Sequence, residues 1–177
     1  MRLDPIVIHP YDPRWPEMFE RQRGRVAAAL GSWLTRDVEH MGSTAVPDLP
    51  AKGIVDMLAV VDDIDAEPRA VALMAGIGWL AAPEPTDAGD HKLSFCFPSV
   101  ERRTHHLHVV EEASGSWRGW LAFRDYLRSH EDARREYAAL KLQLAEAHGG
   151  DPNDRDAYRG GKAAFVRNIT ARALGPE

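Results

Sequence analysis

The stretch HMGSTAVPDLPAKGIVD, residues 40–56, is the most informative part of the sequence because it joins a glycine-serine turn to an aspartate within an apolar run. The turn follows a predicted short strand at 36–41, and Gly42 and Ser43 can offer backbone N–H groups and a hydroxyl to a phosphate. Asp56 lies in the next predicted strand, at 54–61, where its carboxylate can hold a divalent cation. This pairing indicates nucleotide chemistry.

The Gly-Ser-Thr tripeptide has two interpretations. Gly42 lets the backbone approach a ligand, and the hydroxyls of Ser43 and Thr44 can complete a phosphate cradle. The alternative is an ordinary turn from strand to loop, which is the commoner use of such a tripeptide. The tripeptide alone favours the turn, so the choice depends on the rest of the sequence.

Asp56 interrupts an otherwise apolar strand, where a carboxylate is costly unless it is paired, solvated or bound to a cation. It is therefore the strongest candidate for a metal ligand and for a catalytic residue. Mg²⁺ is the expected cofactor, with another divalent cation as the alternative. The carboxylate can instead pair with Lys52 or with a histidine.

Two histidines, His106 and His108, alternate with Leu107 in the predicted strand 104–110, so both imidazoles lie on one face. Facing a pocket, they can act as catalytic acid-base groups, as metal ligands or as contacts to a phosphate. The alternative, of similar weight, is a pair of histidines held in hydrogen bonds beneath the helices. His105 is expected to point away, and His40 can join the other two.

Several basic residues are candidates for binding anionic groups. Arg124 and Arg128 are four residues apart on one helical face, which suits bidentate recognition of phosphate, and both are expected to face the same cleft as Asp56. The alternative is a solvated helix face paired with Asp125 and Glu131. The remaining candidates are Lys52, Lys141 and Lys162.

Composition excludes some classes of function. The 177 residues suffice for one domain, and a net charge of -5 argues against a general nucleic-acid binder, which needs clustered basic residues. The single Cys96 cannot form an internal disulfide, and no segment resembles a signal peptide or a membrane span. A cytoplasmic protein without a membrane partner is expected.

Periodicity predicts the remaining elements. Amphipathic helices are predicted at 15–30 and 65–75, and strands at 92–97 and 104–110 form a hairpin. Residues 81–90 are rich in turn formers and predict an exposed loop, whereas the chain after Ser116 is helical, with GGDPND at 149–154 before the last helix. The order predicts an α+β fold with a mixed or antiparallel sheet of about four strands covered by helices.

These blocks together resemble the GrpB family, also called UPF0157, whose hallmark reads close to HIGSTAVPGLxAKPIIDI. The likeness extends to YDPRWPEMF at 11–19, THHLHVV at 104–110 and FRDYLRSH at 123–130, and it includes Tyr137, Lys141, Tyr158 and Lys162. The chain departs from the hallmark at Asp48, where glycine is usual, and at Gly53, where proline is usual. The family is placed in the polymerase-beta-like nucleotidyltransferase superfamily.

The resemblance implies a single domain, with a nucleotidyltransferase-like core at 32–112 and helical cover from 1–31 and 114–177. It also favours the phosphate-binding interpretation of the Gly-Ser-Thr turn and of the basic candidates. The implied partner is a nucleotide or another phosphorylated small molecule. The implied reaction is transfer of a nucleotidyl group assisted by a divalent cation.

Leu58 argues against a fully equipped enzyme. The active superfamily pattern has a second acid two residues after the first, and that position here is apolar, so a two-cation site is not encoded. Two alternatives to the transferase follow. One is a non-catalytic nucleotide-binding or regulatory module, and the other is the same pocket used for a different small-molecule reaction with His106 and His108 as acid-base groups.

Overall fold

A computed structural model describes residues 6–64, 67–84, 87–89, 91–150 and 154–175 of the chain. The helices are α1 (Trp15–Leu30), α2 (Glu67–Gly76), α3 (Ser116–Ser129), α4 (Glu131–His148), α5 (Arg155–Gly161) and α6 (Ala163–Leu174). The strands are β1 (Glu39–Met41), β2 (Val55–Val61), β3 (Leu80–Ala81), β4 (Lys92–Phe97) and β5 (His105–Glu111).

The strands form one mixed sheet in the order β1-β2-β5-β4-β3. The central pair, β2 and β5, is parallel, and its register sets Asp56 directly opposite His106. The other neighbouring pairs are antiparallel, including the predicted hairpin of β4 and β5. Because side chains alternate along each strand, Asp56, His106 and His108 share one face of the sheet.

Helices α1 and α2 cover the other face. Met57 of β2 and Leu107 of β5 are fully buried there with Phe19 of α1 and Met74 of α2. Fully burying a side chain of this size contributes about 1.5–3 kcal/mol, so this layer stabilises the sheet substantially. The predicted amphipathic helix 15–30 is confirmed, since its apolar positions supply this contact.

Helices α3 to α6 lie on the face that carries Asp56. Trp117 of α3 packs on Leu58, Val60 and Val110, which come later in their strands than Asp56 and His106. A separate cluster joins α3, α4 and α6 to the loop that follows β1; it contains Val46, Leu49, Leu127, Tyr137 and Ile169. The beginnings of β2 and β5 therefore face a cleft rather than a packed helix.

The predicted α+β fold is confirmed. The sheet has five strands rather than about four. The additional strand, β3, pairs with β4 at the edge of the sheet and is only two residues long, which is too short for a strand pattern to be recognised in the sequence. The last predicted helix is divided near Lys162 into α5 and α6. The predicted start of α2 at 65 and 66, and parts of the loops 81–90 and 149–154, lie outside the described residues.

The loop between β1 and β2 contains both departures from the family hallmark. Asp48 adopts a left-handed backbone with φ of 64°, which an aspartate tolerates better than most side chains. Gly53 has φ of 73°, a value that proline cannot adopt. The loop therefore keeps a glycine-like turn at 48 and has its own backbone path at 53.

Across the described ranges, none of the helices is both long enough and apolar enough to cross a bilayer.

Candidate functional site

A cleft of about 420 Å³ opens where the beginnings of β2 and β5 meet α4 and α5. It brings together residues from six parts of the chain, and its polar lining falls into two halves. Its lining includes Gly42, Ser43, Thr44, Lys52, Asp56, Glu84, His106, His108, Tyr137, Lys141, Tyr158, Arg159 and Lys162. The predicted meeting of Ser43, Asp56, His106 and His108 at one cleft is confirmed.

Only glycine fits at position 42, because the backbone there lies against the side chain of Asp56. The φ of Gly42 is 71°, and a Cβ added there would lie 2.5 Å from Asp56 Oδ2. A side chain at this position would therefore be strained by the backbone and would displace the carboxylate. Gly42 thus closely approaches Asp56 across the β1/β2 pair, and its predicted approach to a ligand stays a prediction.

One half of the cleft contains a carboxylate and two imidazoles, which we call the donor group: Asp56, His106 and His108. One ligand atom from each lies within 4.8 Å of the other two. His106 Nδ1 is 3.7 Å from Asp56 Oδ1, and the two imidazole ring centres are 4.3 Å apart. Strand alternation and the parallel register of β2 and β5 produce this cluster without any unusual backbone.

The two histidines are buried without being satisfied. Within the described part of the chain, neither His106 Nε2 nor His108 Nδ1 has a hydrogen-bond partner. Burial, followed by the neighbouring His106, lowers the pKa of His108 to about 4, so this imidazole is neutral at physiological pH. The alternative of histidines held in hydrogen bonds therefore fails for these two nitrogen atoms.

Asp56 is ionised in this setting. Burial on its own raises the pKa of its carboxyl, but interactions with His106 and with the nearby His108 and Lys52 outweigh burial and lower it. The Asp56 side chain keeps 31% of its surface exposed, and it borders the cleft. The donor group thus presents one negative charge and buried imidazole nitrogens to the cavity.

Glu84 is a cleft residue that the sequence did not predict. It belongs to the loop predicted as exposed at 81–90, yet its Oε1 lies 3.9 Å from His106 Nε2 and 3.5 Å from Arg159 Nη2. Buried Lys92 holds this part of the loop down through Glu84 and Asp87, at 3.6 and 3.4 Å. The position of Glu84 between two prolines is the one weak signal in the sequence.

The other half of the cleft is basic, and we call Lys52, Lys141 and Lys162 the lysine cluster. The chain contains four lysines in all, so three of them line this one cavity. Lys141 is 2% exposed and donates to Ser43 Oγ at 3.1 Å and to the carbonyl oxygen of Pro50.

The lysines of the cluster repel one another, and burial and this repulsion together lower the pKa values of Lys141 and Lys162. Burial, then Lys162 and Lys52, lower the pKa of Lys141 to about 7. Burial, then Lys52, lower the pKa of Lys162 to about 8. The Lys162 ammonium lies 4.4 Å from the ring centre of Tyr158. Because Lys52 and Lys162 disfavour the charged form of Lys141, and Lys52 that of Lys162, an anion entering the cleft would relieve this repulsion.

Thr44 and two other histidines have structural contacts. Thr44 borders the cleft, and its hydroxyl bonds to His40 Nε2 at 3.0 Å, so its predicted contact with a phosphate stays a prediction. His40 also stacks on Phe19 and does not join the donor group. His105 faces α1 and bonds to the Met18 carbonyl oxygen, as its predicted orientation requires.

Arg124 and Arg128 do not line the cleft, so the prediction that they bind phosphate there is wrong. They border a separate depression beside α1 and β1. Arg124 Nη1 donates to Glu39 Oε2 at 2.7 Å and to the His40 carbonyl oxygen at 2.8 Å, and Arg128 Nε donates to the Ala45 carbonyl oxygen at 2.9 Å. Their helix face meets the outer edge of the sheet.

We expect Arg124→Ala to destabilise the protein by about 2 kcal/mol and to leave ligand affinity unchanged, because it removes charge-assisted hydrogen bonds that join α3 to β1. Urea unfolding measures the change. Arg21→Ala is the control, since its pair with Glu17 is exposed and contributes less than about 1 kcal/mol. Equal stability of the two variants would contradict the assigned contact.

The donor set suits some cations better than others. Mg²⁺ prefers oxygen ligands, whereas imidazole nitrogen suits Zn²⁺ and related first-row ions. Asp56 is the one carboxylate in the donor group, and the two imidazoles supply nitrogen. The group therefore fits the expected Mg²⁺ poorly.

Comparison with known proteins places the chain among relatives along almost its whole length. The family model described as GrpB protein matches residues 5–172. A UPF0157 protein of Pseudomonas aeruginosa is 39% identical over 174 residues, covering 97% of this chain and 69% of the relative. A UPF0157 protein of Streptomyces coelicolor is 37% identical over 169 residues, covering 95% and 84%. The chain spans only 47% of a Bacillus subtilis UPF0157 protein that is 32% identical to it.

A solved structure and an enzyme are also similar. The crystal structure of conserved protein GrpB from Enterococcus faecalis superposes with a TM-score of 0.81 at 32% identity, covering 95% of this chain and 97% of that one. A dephospho-CoA kinase of Mycolicibacterium paratuberculosis is 28% identical over 192 residues, and the match covers 46% of that enzyme. More than half of the kinase therefore lies outside the similarity.

Proposed function

The chain belongs to the GrpB family, and from that premise we propose that its cleft binds a nucleotide or another phosphorylated small molecule. The observation that carries the proposal is the lysine cluster, which concentrates three of four lysines in one cavity of an acidic protein. An acidic protein that binds phosphates must gather its positive groups locally. Because the charged forms of these lysines repel one another and Lys141 is also buried, the cavity favours an anionic ligand.

The phosphate groups would lie against Ser43, Lys141 and Lys162. Ser43 already accepts a hydrogen bond from Lys141, so its hydroxyl and the two ammonium groups converge on one region. Charge-assisted hydrogen bonds of this kind contribute about 1.5–3 kcal/mol each. Tyr158 is 1% exposed, and its ring supports the Lys162 ammonium at 4.4 Å.

The reaction in line with the superfamily resemblance is transfer of a nucleotidyl group. An acceptor oxygen would form a bond to the α-phosphorus, the bond from that phosphorus to the bridging oxygen would break, and pyrophosphate would leave. The acceptor proton would pass to a carboxylate or imidazole of the cleft, for which Asp56, His106 and His108 are the candidates.

A non-catalytic binding module is the second candidate function, and Leu58 favours it. This residue is fully buried against Val60 and Trp117, so no carboxylate can be presented at the position of the second acid. Glu84 approaches from a loop instead of a strand. Any nucleotidyl transfer should therefore be weak by the standard of an enzyme with a complete acidic site.

The expected partner is a small molecule. The net charge of -5 disfavours nucleic acid as a general ligand, and a cytoplasmic location follows from the same proposal, since nucleotides are found there. The relative named dephospho-CoA kinase carries a name that denotes phosphoryl transfer, which is in line with a phosphorylated ligand.

A thermal-shift panel tests the proposed function. Purified protein is heated with each common nucleoside triphosphate or with pyrophosphate, in EDTA and in separate samples with divalent cations. A ligand at about 100 times its dissociation constant adds roughly 2.7 kcal/mol, or about 5–10 °C for a chain of this size. We expect at least one such shift, part of which persists in EDTA.

The outcomes separate the candidates. A shift accompanied by slow release of pyrophosphate from the bound triphosphate supports transfer, whereas a shift without turnover supports the binding module. If none of the phosphorylated compounds raises the melting temperature at millimolar concentration, the lysine cluster has been misinterpreted and the proposal fails.

A further inference from the structure

We infer that the donor group Asp56, His106 and His108 binds one first-row transition-metal ion of the kind that imidazole prefers, Zn²⁺ foremost, instead of Mg²⁺. The inference deepens the proposed function, on which it rests for the biological use of the ion. The binding itself can be tested without any nucleotide.

The first argument is the set of donor atoms. Two imidazoles and one carboxylate form the common nitrogen-rich set of first-row metal sites, while a site for Mg²⁺ is built from oxygen. Each of the three offers one atom within 4.8 Å of the others. Donors about 2.1 Å from a tetrahedral ion lie roughly 3.4 Å apart, so small side-chain rotations close the site.

The second argument is the unsatisfied nitrogen atoms. His106 and His108 are 6% and 9% exposed, and across the described ranges His106 Nε2 and His108 Nδ1 accept or donate no hydrogen bond. A buried polar atom without a partner costs about 1–3 kcal/mol. The unpaired His108 nitrogen indicates a ligand for the donor group, whereas His106 Nε2 faces Glu84 at 3.9 Å.

The third argument is the carboxylate behind His106. A metal-bound imidazole usually directs its other ring nitrogen to a carboxylate. His106 Nδ1 faces Asp56 at 3.7 Å while its Nε2 faces Glu84 at 3.9 Å. Glu84 is thus placed to orient His106 as a positioning residue.

Charge excludes the obvious competitor, a phosphate held directly by the two histidines. Asp56 and Glu84 stand on either side of His106, so an anion at that point would meet two carboxylates. The lysine cluster offers a better anion site in the same cleft. One phosphorylated ligand could therefore contact a cation at the donor group and the lysine cluster at the same time, since both line the same cleft.

The test uses tag-free protein treated with chelator and then loaded with Co²⁺, whose visible absorption reports nitrogen ligation, with Zn²⁺ added in competition. We expect about one Co²⁺ per chain, displaced by Zn²⁺ and unaffected by millimolar Mg²⁺. His106→Ala and His108→Ala should each weaken Co²⁺ binding at least roughly tenfold. His130→Ala is the matched control, because this exposed histidine stacks on Tyr126 outside the cleft.

Metal-edge X-ray absorption of the loaded wild-type protein covers the case in which an alanine variant does not fold, since scattering from two imidazoles identifies the ligands directly. The inference is overturned if Co²⁺ binds as well to folded His106→Ala and His108→Ala as to wild type, if Mg²⁺ displaces it, or if wild type binds no Co²⁺. A nucleotide shift that persists in EDTA would then leave the proposed function standing on the lysine cluster alone.

Discussion

Asp56→Asn is expected to weaken metal binding strongly and to remove the metal-dependent part of any nucleotide thermal shift at metal concentrations that just saturate the wild type. Asparagine nearly preserves the volume but removes the charge that faces His106 at 3.7 Å. Loss of the charged donor should weaken metal binding on the order of 100-fold. Stability should change by less than about 1–2 kcal/mol, because the variant loses favourable contacts and also the cost of burying a carboxylate.

The matched control for that experiment is Asp62→Asn, which makes the same substitution at an exposed position just beyond the end of β2. Calorimetric titration with Co²⁺ and thermal shift with nucleotide are measured on both variants and on wild type. Wild-type behaviour of Asp56→Asn in both measurements would remove Asp56 from the site and leave the two alternatives to the transferase, the binding module and the pocket used for a different small-molecule reaction.

Lys141→Met should weaken binding of the phosphorylated ligand at least about tenfold, even in EDTA. The substitution keeps the length of the side chain and removes an ammonium group that forms charge-assisted hydrogen bonds, each of which contributes about 1.5–3 kcal/mol. The fold should persist, because Tyr137 and the surrounding cluster continue to pack around the methionine. Arg135→Met, on the exposed side of the same helix, is the control.

Lys141→Met should also change how the free energy of unfolding depends on pH. The pKa of Lys141 is about 7 in the folded protein, below the usual range of a lysine in an unfolded chain. Between these values the unfolded chain binds more protons, so the free energy of unfolding rises with pH above about 7. Ligand affinity changes in the opposite direction, because deprotonation removes the charge that attracts the phosphate.

Lys162, with a pKa of about 8, contributes a second rise in the same direction at higher pH. Lys141→Met should therefore reduce the increase in stability between pH 7 and 9 without removing it completely. Urea unfolding at several pH values measures this difference. An identical pH profile for wild type and variant would show that Lys141 is protonated throughout and that its charge is not suppressed by the cluster.

For residues on strands, the sequence could predict which face of the sheet each side chain lies on. Alternation along a strand assigns each side chain to a face, so the sequence alone separates His106 and His108 from His105. The parallel register that sets Asp56 against His106 is a tertiary fact, but a short apolar strand with one acid already indicates a polar cleft.

The residues that could not be predicted depend on which neighbour an element meets. Helical periodicity shows that Arg124 and Arg128 share a side of α3, but it contains no information on whether that side meets the cleft or the edge strand β1. Glu84 escapes prediction for a related reason. Its loop is fixed by the buried pairs of Lys92 with Glu84 and Asp87, and such tertiary pairing leaves no local pattern.

The two halves of the cleft are completed at different moments of protein synthesis. The donor group is encoded before residue 110, whereas Lys141 and Lys162 belong to the helical region that emerges from the ribosome afterwards. A nascent chain that ends after β5 already contains the donor group, which we infer to bind a cation, but it lacks two of the three lysines of the lysine cluster. If the cleft binds the proposed phosphorylated ligand, that ligand can be held by the complete lysine cluster only after the helical region has been synthesised.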